Sequence, residues 1–186
     1  QRHIQCRALG FLSGALEREA EMVGRRARKE PVTKALYNDL TRWRSLLSKN
    51  VALNDPRKKL SKEQVEEGVL RFLNRLIFIR TCEDRKIENE RLRETLRSFK
   101  SDGKRRVMSY IRDVFEDFNL TYDSDIFAPH LAGDLLLDND VLETVISEMY
   151  ENKDGAHYDF DAIDADVLGN IYEQYLATAM REGGGL

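Results

Sequence analysis

Apolar residues recur at intervals of three and four along almost the whole chain, and no stretch alternates apolar with polar positions convincingly enough for a strand. The pattern predicts an all-α domain of about seven helices. Between His3 and Lys29 the stripe is Ile4, Ala8, Leu12, Leu16, Ala20, Val23 and Ala27, and Pro31 ends the helix it predicts. Gly10, Gly14 and Gly24 weaken that helix and suggest close approach of a neighbour. A second helix, Thr33 to about Lys49, places Leu36, Leu40, Trp43 and Leu47 on one face, and Asn54-Asp55-Pro56 turns the chain after it.

The densest apolar cluster, Leu70 to Cys82, lies in the stretch Ser61 to Lys86. Ser61 followed by Gln64 is a capping-box pattern, in which each side chain satisfies a backbone N–H of the first turn. Val65, Val69, Phe72, Leu73, Leu76 and Ile77 keep helical spacing, while Leu70 and Phe78 add apolar surface on other faces. A helix apolar on most sides is a central one, here roughly 35 Å long. A short charged helix, Glu88 to Phe99, follows and breaks at Asp102-Gly103. The next, Lys104 to Phe118, buries Val107, Ile111, Val114, Phe115 and Phe118. Asn119 to Leu137 reads as a long loop pinned to the core by Tyr122, Ile126 and Phe127. Asp138 is expected to cap a helix reaching Met149. After a loop containing Tyr158-Asp159-Phe160, Asp164 is expected to cap a last helix striped by Val167, Leu168, Ile171, Tyr172, Tyr175 and Leu176.

A chain of 186 residues supports one core, burying about 70% of its unfolded surface. The expected organisation is a single helical domain over 1–182 and a Gly-rich tail, 183–186, leading towards a further domain. The chain starts without Met, which suggests a fragment of something larger. No apolar run approaches the ~20 residues of a membrane span, and the first residues lack a signal peptide's plan, so a cytoplasmic setting is expected. Cys6 and Cys82 are expected to be reduced structural thiols.

The net charge of −3 conceals a split: residues 1–112 sum to +13 and residues 113–186 to −16. Either the halves pair with each other, or a basic face meets a polyanion while the acidic face turns away. Three basic clusters are candidate contacts to a DNA backbone: Arg25, Arg26, Arg28 and Lys29; Arg57, Lys58 and Lys59; Lys104, Arg105 and Arg106. Each sits at a helix end or in a loop, where side chains reach phosphates, and each equally suits a solvated helix terminus.

Three pairs, Asp84/Lys86, Asp102/Lys104 and Glu151/Lys153, match the acid-x-lysine fragment of Mg²⁺ nuclease sites, but about two are expected by chance in such a composition, and the usual strand hairpin is missing. His3, His130 and His157 are scattered and suit surface or capping roles. Asp123, Asp125, Asp138 and Asp140 lack the glycine and terminal Glu of a calcium loop. No Gly-rich loop precedes a helix to cradle phosphate. No residue is assigned as catalytic and none as a metal ligand. Arg80, Glu83 and Asp84, at i, i+3 and i+4, read as a structural lock in which one arginine bridges two acids.

Three stretches in order carry a resemblance: Asn74 to Arg85 (NRLIFIRTCEDR); Tyr122-Asp123-Ser124 with Ile126-Phe127, then Leu137 to Leu142 (LDNDVL); and Tyr158-Asp159-Phe160 leading to Val167 to Leu176 (VLGNIYEQYL). Over about residues 33–180 they resemble the helical connector of the large single-chain Type IIG restriction-modification enzymes and of related adenine-specific DNA methyltransferases. The resemblance implies a connector between an N-terminal endonuclease and a methyltransferase domain, with DNA and those adjoining domains as partners and no membrane. It implies S-adenosyl-L-methionine, and Mg²⁺ where a nuclease is present, for the parent enzyme. No cofactor is expected in this segment, because neither the Phe-x-Gly-x-Gly loop nor the Asn-Pro-Pro-Tyr/Phe motif occurs in it. A helical protein-interaction module, and the N-terminal helical domain of a separate methylase subunit, are the alternatives.

Overall fold

The helix Lys62–Asp84 (α2) runs through the middle of the computed structural model, which describes residues 34–55, 59–123, 125–155, 157–161 and 163. Around it stand α1 (residues 34–54), α3 (Arg91–Asp102), α4 (Val107–Tyr122) and α5 (Asn139–Glu148), with a 3-10 turn at Leu131–Gly133. Five α-helices and no strand are found among the described residues, and one isolated antiparallel bridge joins Glu151 to His157. The all-α class therefore holds, and five of the seven expected helices are found among the described residues. The helices expected over 3–29 and after Asp164 lie outside the described residues. No helix among those residues is long and apolar enough to cross a membrane.

The start of α2 is fixed locally. Ser61 Oγ accepts the Gln64 N–H at 3.2 Å, and Gln64 Oε1 accepts the Ser61 N–H at 2.8 Å. Its buried positions run from Val65 to Glu83 around most of the circumference, including Val69, Phe72, Leu73, Leu76 and Ile79. Gly68 leaves room for Leu135, just after the 3-10 turn, because a Cβ there would stand 3.2 Å from Leu135 Cδ2. An aromatic cluster of Phe72, Phe78, Phe115, Phe118, Tyr122 and Phe127, with ring centroids 5.2 to 6.3 Å apart, joins α2 to α4 and the following loop.

The starts of α3 and α4 are set by groups on neighbouring elements, and this displaces them from the positions the sequence predicts. Helix α3 begins at Arg91, three residues after Glu88, where Glu83 of α2 accepts the Leu92 N–H at 2.9 Å. Helix α4 begins at Val107 instead of Lys104; its first N–H goes to Asn139 Oδ1 at 3.0 Å. It then continues to Tyr122 instead of ending at Phe118, since Tyr122 packs on Phe78 and Phe118. Helix α1 runs to residue 54, past Lys49, because Val51 is buried and Asn50 is held at the loop before α5. Asp138 occupies the cap position of α5, yet its side chain makes no capping bond. Its carboxylate accepts from Asn50 Nδ2 at 2.7 Å, and its own N–H goes to Asn50 Oδ1 at 2.9 Å.

Candidate functional site

The polar end of α2 gathers the sequence-predicted lock and several residues distant in the chain. Arg80, 2% exposed, donates from Nη1 to Glu83 Oε2 at 2.7 Å and from Nη2 to both oxygens of Asp84 at 2.8 Å. Its guanidinium lies 3.9 Å from the ring centre of Tyr150 and 5.4 Å from that of Phe160. Every acid oxygen in the group is engaged. Glu83 Oε1 takes the Leu92 N–H, Glu83 Oε2 also takes the Tyr150 hydroxyl at 2.6 Å, and Asp84 Oδ2 takes the Phe160 N–H at 2.9 Å. Burial lowers Arg80's hold on its proton, but the bond to Glu83 and the nearby negative groups outweigh it and raise the pKa above the usual arginine value. Burial, then the Glu83 charge, pushes the Tyr150 hydroxyl well above its ordinary range.

A second network ties α1 to α5 and to the strap that follows. Glu148 Oε2 accepts from Trp43 Nε1 at 2.7 Å and from Arg42 Nη2 at 2.5 Å. Arg42 also donates to Asp39 at 2.7 Å, and the other Asp39 oxygen takes the Tyr158 hydroxyl at 2.5 Å. Tyr158 meets Trp43 edge to face at 6.4 Å. So residues 158–160 are held at Asp39 on one side and at Arg80 and Asp84 on the other. Arg75, buried on α2, has no carboxylate partner among the described residues. It donates to the carbonyls of Ile126 at 2.8 Å and Ala128 at 2.6 Å, under the rings of Phe115 and Phe127.

Two of the three acids in the acid-x-lysine pairs, Asp84 and Asp102, are taken up by neighbouring groups. Asp84, half of the Asp84/Lys86 fragment, is fully used by Arg80 and the Phe160 N–H. Asp102 accepts from the Tyr110 hydroxyl and from the Lys104 N–H, which with the nearby cations hold its carboxyl below the usual range. Glu151 sits in the bridge with His157. No group of three or more His, Cys, Asp or Glu among the described residues is arranged to hold a metal ion. Cys82 is buried and free, and burial raises its thiol's pKa. His130 Nδ1 accepts the Ala132 N–H at the 3-10 turn.

The basic clusters fare differently. Arg25, Arg26, Arg28, Lys29, Arg57 and Lys58 lie outside the described residues, while Lys59 and Lys104 are exposed. Arg105 pairs with Asp113 at 2.8 Å and Arg106 with Asp138 at 3.6 Å. Arg42–Glu148, Arg85–Asp161, Arg91–Asp117, Lys100–Glu143 and Arg112–Asp134 likewise join a cation of the basic half to an acid of the acidic half. Tyr150, Glu148, Arg75, Asn50 and Arg112 carry no local signal in the sequence. Their partners stand 21 to 106 residues away, so periodicity and spacing pass over them.

Compared with known proteins, the chain is similar to the Type II restriction enzyme and methyltransferase RM.Eco57I of Escherichia coli, 29% identical over 140 residues. That match covers 75% of this chain and 13% of the relative. No family model matches the chain, and no solved structure matches it. The likeness is thus distant and confined to a small part of a bifunctional restriction-modification enzyme.

Proposed function

We propose that this chain is the helical connector of a single-chain restriction-modification enzyme, a spacer holding an endonuclease and an adenine-specific DNA methyltransferase at a fixed separation along DNA. The observation that carries the reading is the match to 13% of RM.Eco57I, a restriction enzyme and methyltransferase in one. The order of the three motifs agrees with it. The physical case for a spacer is the buried framework. Arg80, Glu83, Asp84, Tyr150 and Phe160 tie α2, α3 and the strap into one unit, which suits an element that transmits position. In this reading, S-adenosyl-L-methionine and Mg²⁺ belong to the adjoining domains, and residues 183–186 lead into the methyltransferase.

The three basic clusters, Arg25 to Lys29, Arg57 to Lys59 and Lys104 to Arg106, are the proposed sites of backbone contact, which positions without reading sequence. The reading frame beyond Leu186 tests the proposal. An S-adenosylmethionine loop and an Asn-Pro-Pro-Tyr/Phe motif are expected to begin within about a hundred residues, a window set by ordinary domain size. A frame that continues without them refutes the connector assignment.

A further inference from the structure

We propose that the first turns of α4 form a phosphate-capturing surface for duplex DNA, which the acidic half of the chain keeps masked. The proposal rests on the reading of the parent as a DNA-acting enzyme, and it names a surface and a means of control within it. Arg105, Arg106 and Arg112 repeat one arrangement. Each donates to a backbone carbonyl: Arg105 to Ser109 at 3.1 Å, Arg106 to Leu137 at 2.9 Å, Arg112 to Gly133 at 3.0 Å. Each also faces a carboxylate: Asp113 at 2.8 Å, Asp138 at 3.6 Å and Asp134 at 3.5 Å.

The two partners of each arginine differ in how replaceable they are. The carbonyl is part of the folded backbone, so its bond aims the guanidinium and stays. The carboxylate is held by a solvent-exposed ion pair, the six side chains being 45% to 74% exposed, and such pairs are weak, although Asp138 is also tied to Asn50. A guanidinium already anchored through one N–H keeps others for a phosphate, which it grips by the same fork geometry it offers a carboxylate. Arg105 is steadied further by the Tyr110 ring, 4.7 Å from its guanidinium carbon. Lys104, exposed beside them, adds a fourth cation.

Masking follows from the charge balance. Lys104, Arg105, Arg106 and Arg112 share this surface with Asp102, Asp113, Asp134 and Asp138, so it is formally neutral while the carboxylates hold their places. A duplex, with about one phosphate charge per 1.7 Å of axis, competes with isolated carboxylates on favourable terms. Removing an acid should therefore strengthen DNA binding, the reverse of what a purely structural role for these pairs implies.

The test is binding of a fluorescent 20-base-pair duplex to the 186-residue chain over a range of salt. Asp113→Asn with Asp134→Asn, which leaves Asp138 and its bonds to Asn50 in place, is expected to tighten binding roughly two- to twentyfold. Replacing Arg105, Arg106 and Arg112 together with Gln is expected to weaken it and to make log K less steep in log salt by about 2 to 3. If circular dichroism shows that the triple variant is unfolded, Arg105→Gln alone, whose partners lie within α4, should lower the slope by about 1. Arg97→Gln, on the exposed side of α3, should change neither. The proposal is overturned if the Asn pair leaves affinity unchanged or lower, if the Gln variants keep the parental salt slope, or if no form of the chain binds. Absence of binding leaves the connector reading intact, since a spacer needs no phosphate contact. A reading frame without methyltransferase motifs removes the connector reading and leaves the binding result standing.

Discussion

Removing the Arg80 guanidinium would leave Glu83, whose side chain is 1% exposed, as a buried charge without its cation, and would empty the space between the Tyr150 and Phe160 rings. Breaking a buried pair from one side costs about 3 to 5 kcal/mol. Arg80→Ala is therefore expected to lower the melting temperature by roughly 6 to 15 °C, read by circular dichroism. An unchanged melting curve would show that the pair is not a lock. The i, i+3, i+4 spacing makes the Arg80 bridge legible in the sequence, because three residues on one helix face must meet. Tyr150 and Phe160, which complete the group, are not, since nothing local links them to Arg80. Tyr150 also gives a pH signature. Its folded pKa is raised, by burial and then by Glu83, so its contribution is fully present below the unfolded value of about 10 and is lost as pH rises above it. Tyr158, raised by burial and its bond to Asp39, acts in the same direction. Urea midpoints should fall above pH 10, and Tyr150→Phe should flatten that alkaline fall by up to about 1.4 kcal/mol per pH unit while lowering stability at neutral pH. An unaltered alkaline slope would contradict the assignment.

At the level of the helices, the feature that orders this fold is that elements cap one another. The N-termini of α3 and α4 receive oxygens from Glu83 of α2 and Asn139 of α5, so each helix begins where a neighbour supplies an acceptor. That is why the existence of α1 to α5 is legible from three-and-four spacing, whereas starts slip by about three residues: periodicity reports the buried face, and the acceptor that fixes the first turn lies elsewhere in the chain. Helix α2 is the exception that supports this account, because its capping box is local and its start is read directly from Ser61 and Gln64. Asp138 shows the opposite case, a good cap residue at the cap position whose carboxylate Asn50 takes instead. Asn139→Ala should cost about 1 kcal/mol and selectively raise hydrogen exchange at the Val107 amide. If Val107 exchange is unaffected, α4 is not started from α5.

Across the whole molecule, the opposition of +13 and −16 is visible in the sequence, but its destination is not, because spacing cannot say which cation meets which acid. The described residues direct much of it inward. Seven ion pairs join the halves, and most of them are exposed, whereas Arg42–Glu148 is partly buried and shares its acceptor with Trp43. Exposed pairs contribute about 0 to 1 kcal/mol each and are screened by salt, while buried ones are screened far less. Two kinds of salt response therefore follow. Raising salt from about 0.05 to 0.5 M should weaken the exposed pairs together and lower unfolding stability by roughly 1 to 3 kcal/mol, without a change in helix content. Trp43 fluorescence in the folded state should stay constant over the same range, since its N–H remains on Glu148 inside the core. A shift in Trp43 emission below the unfolding transition would mean that salt opens the α1–α5 contact itself. A stability independent of salt would mean that the surface pairs do not hold the halves together and that the buried framework does so alone.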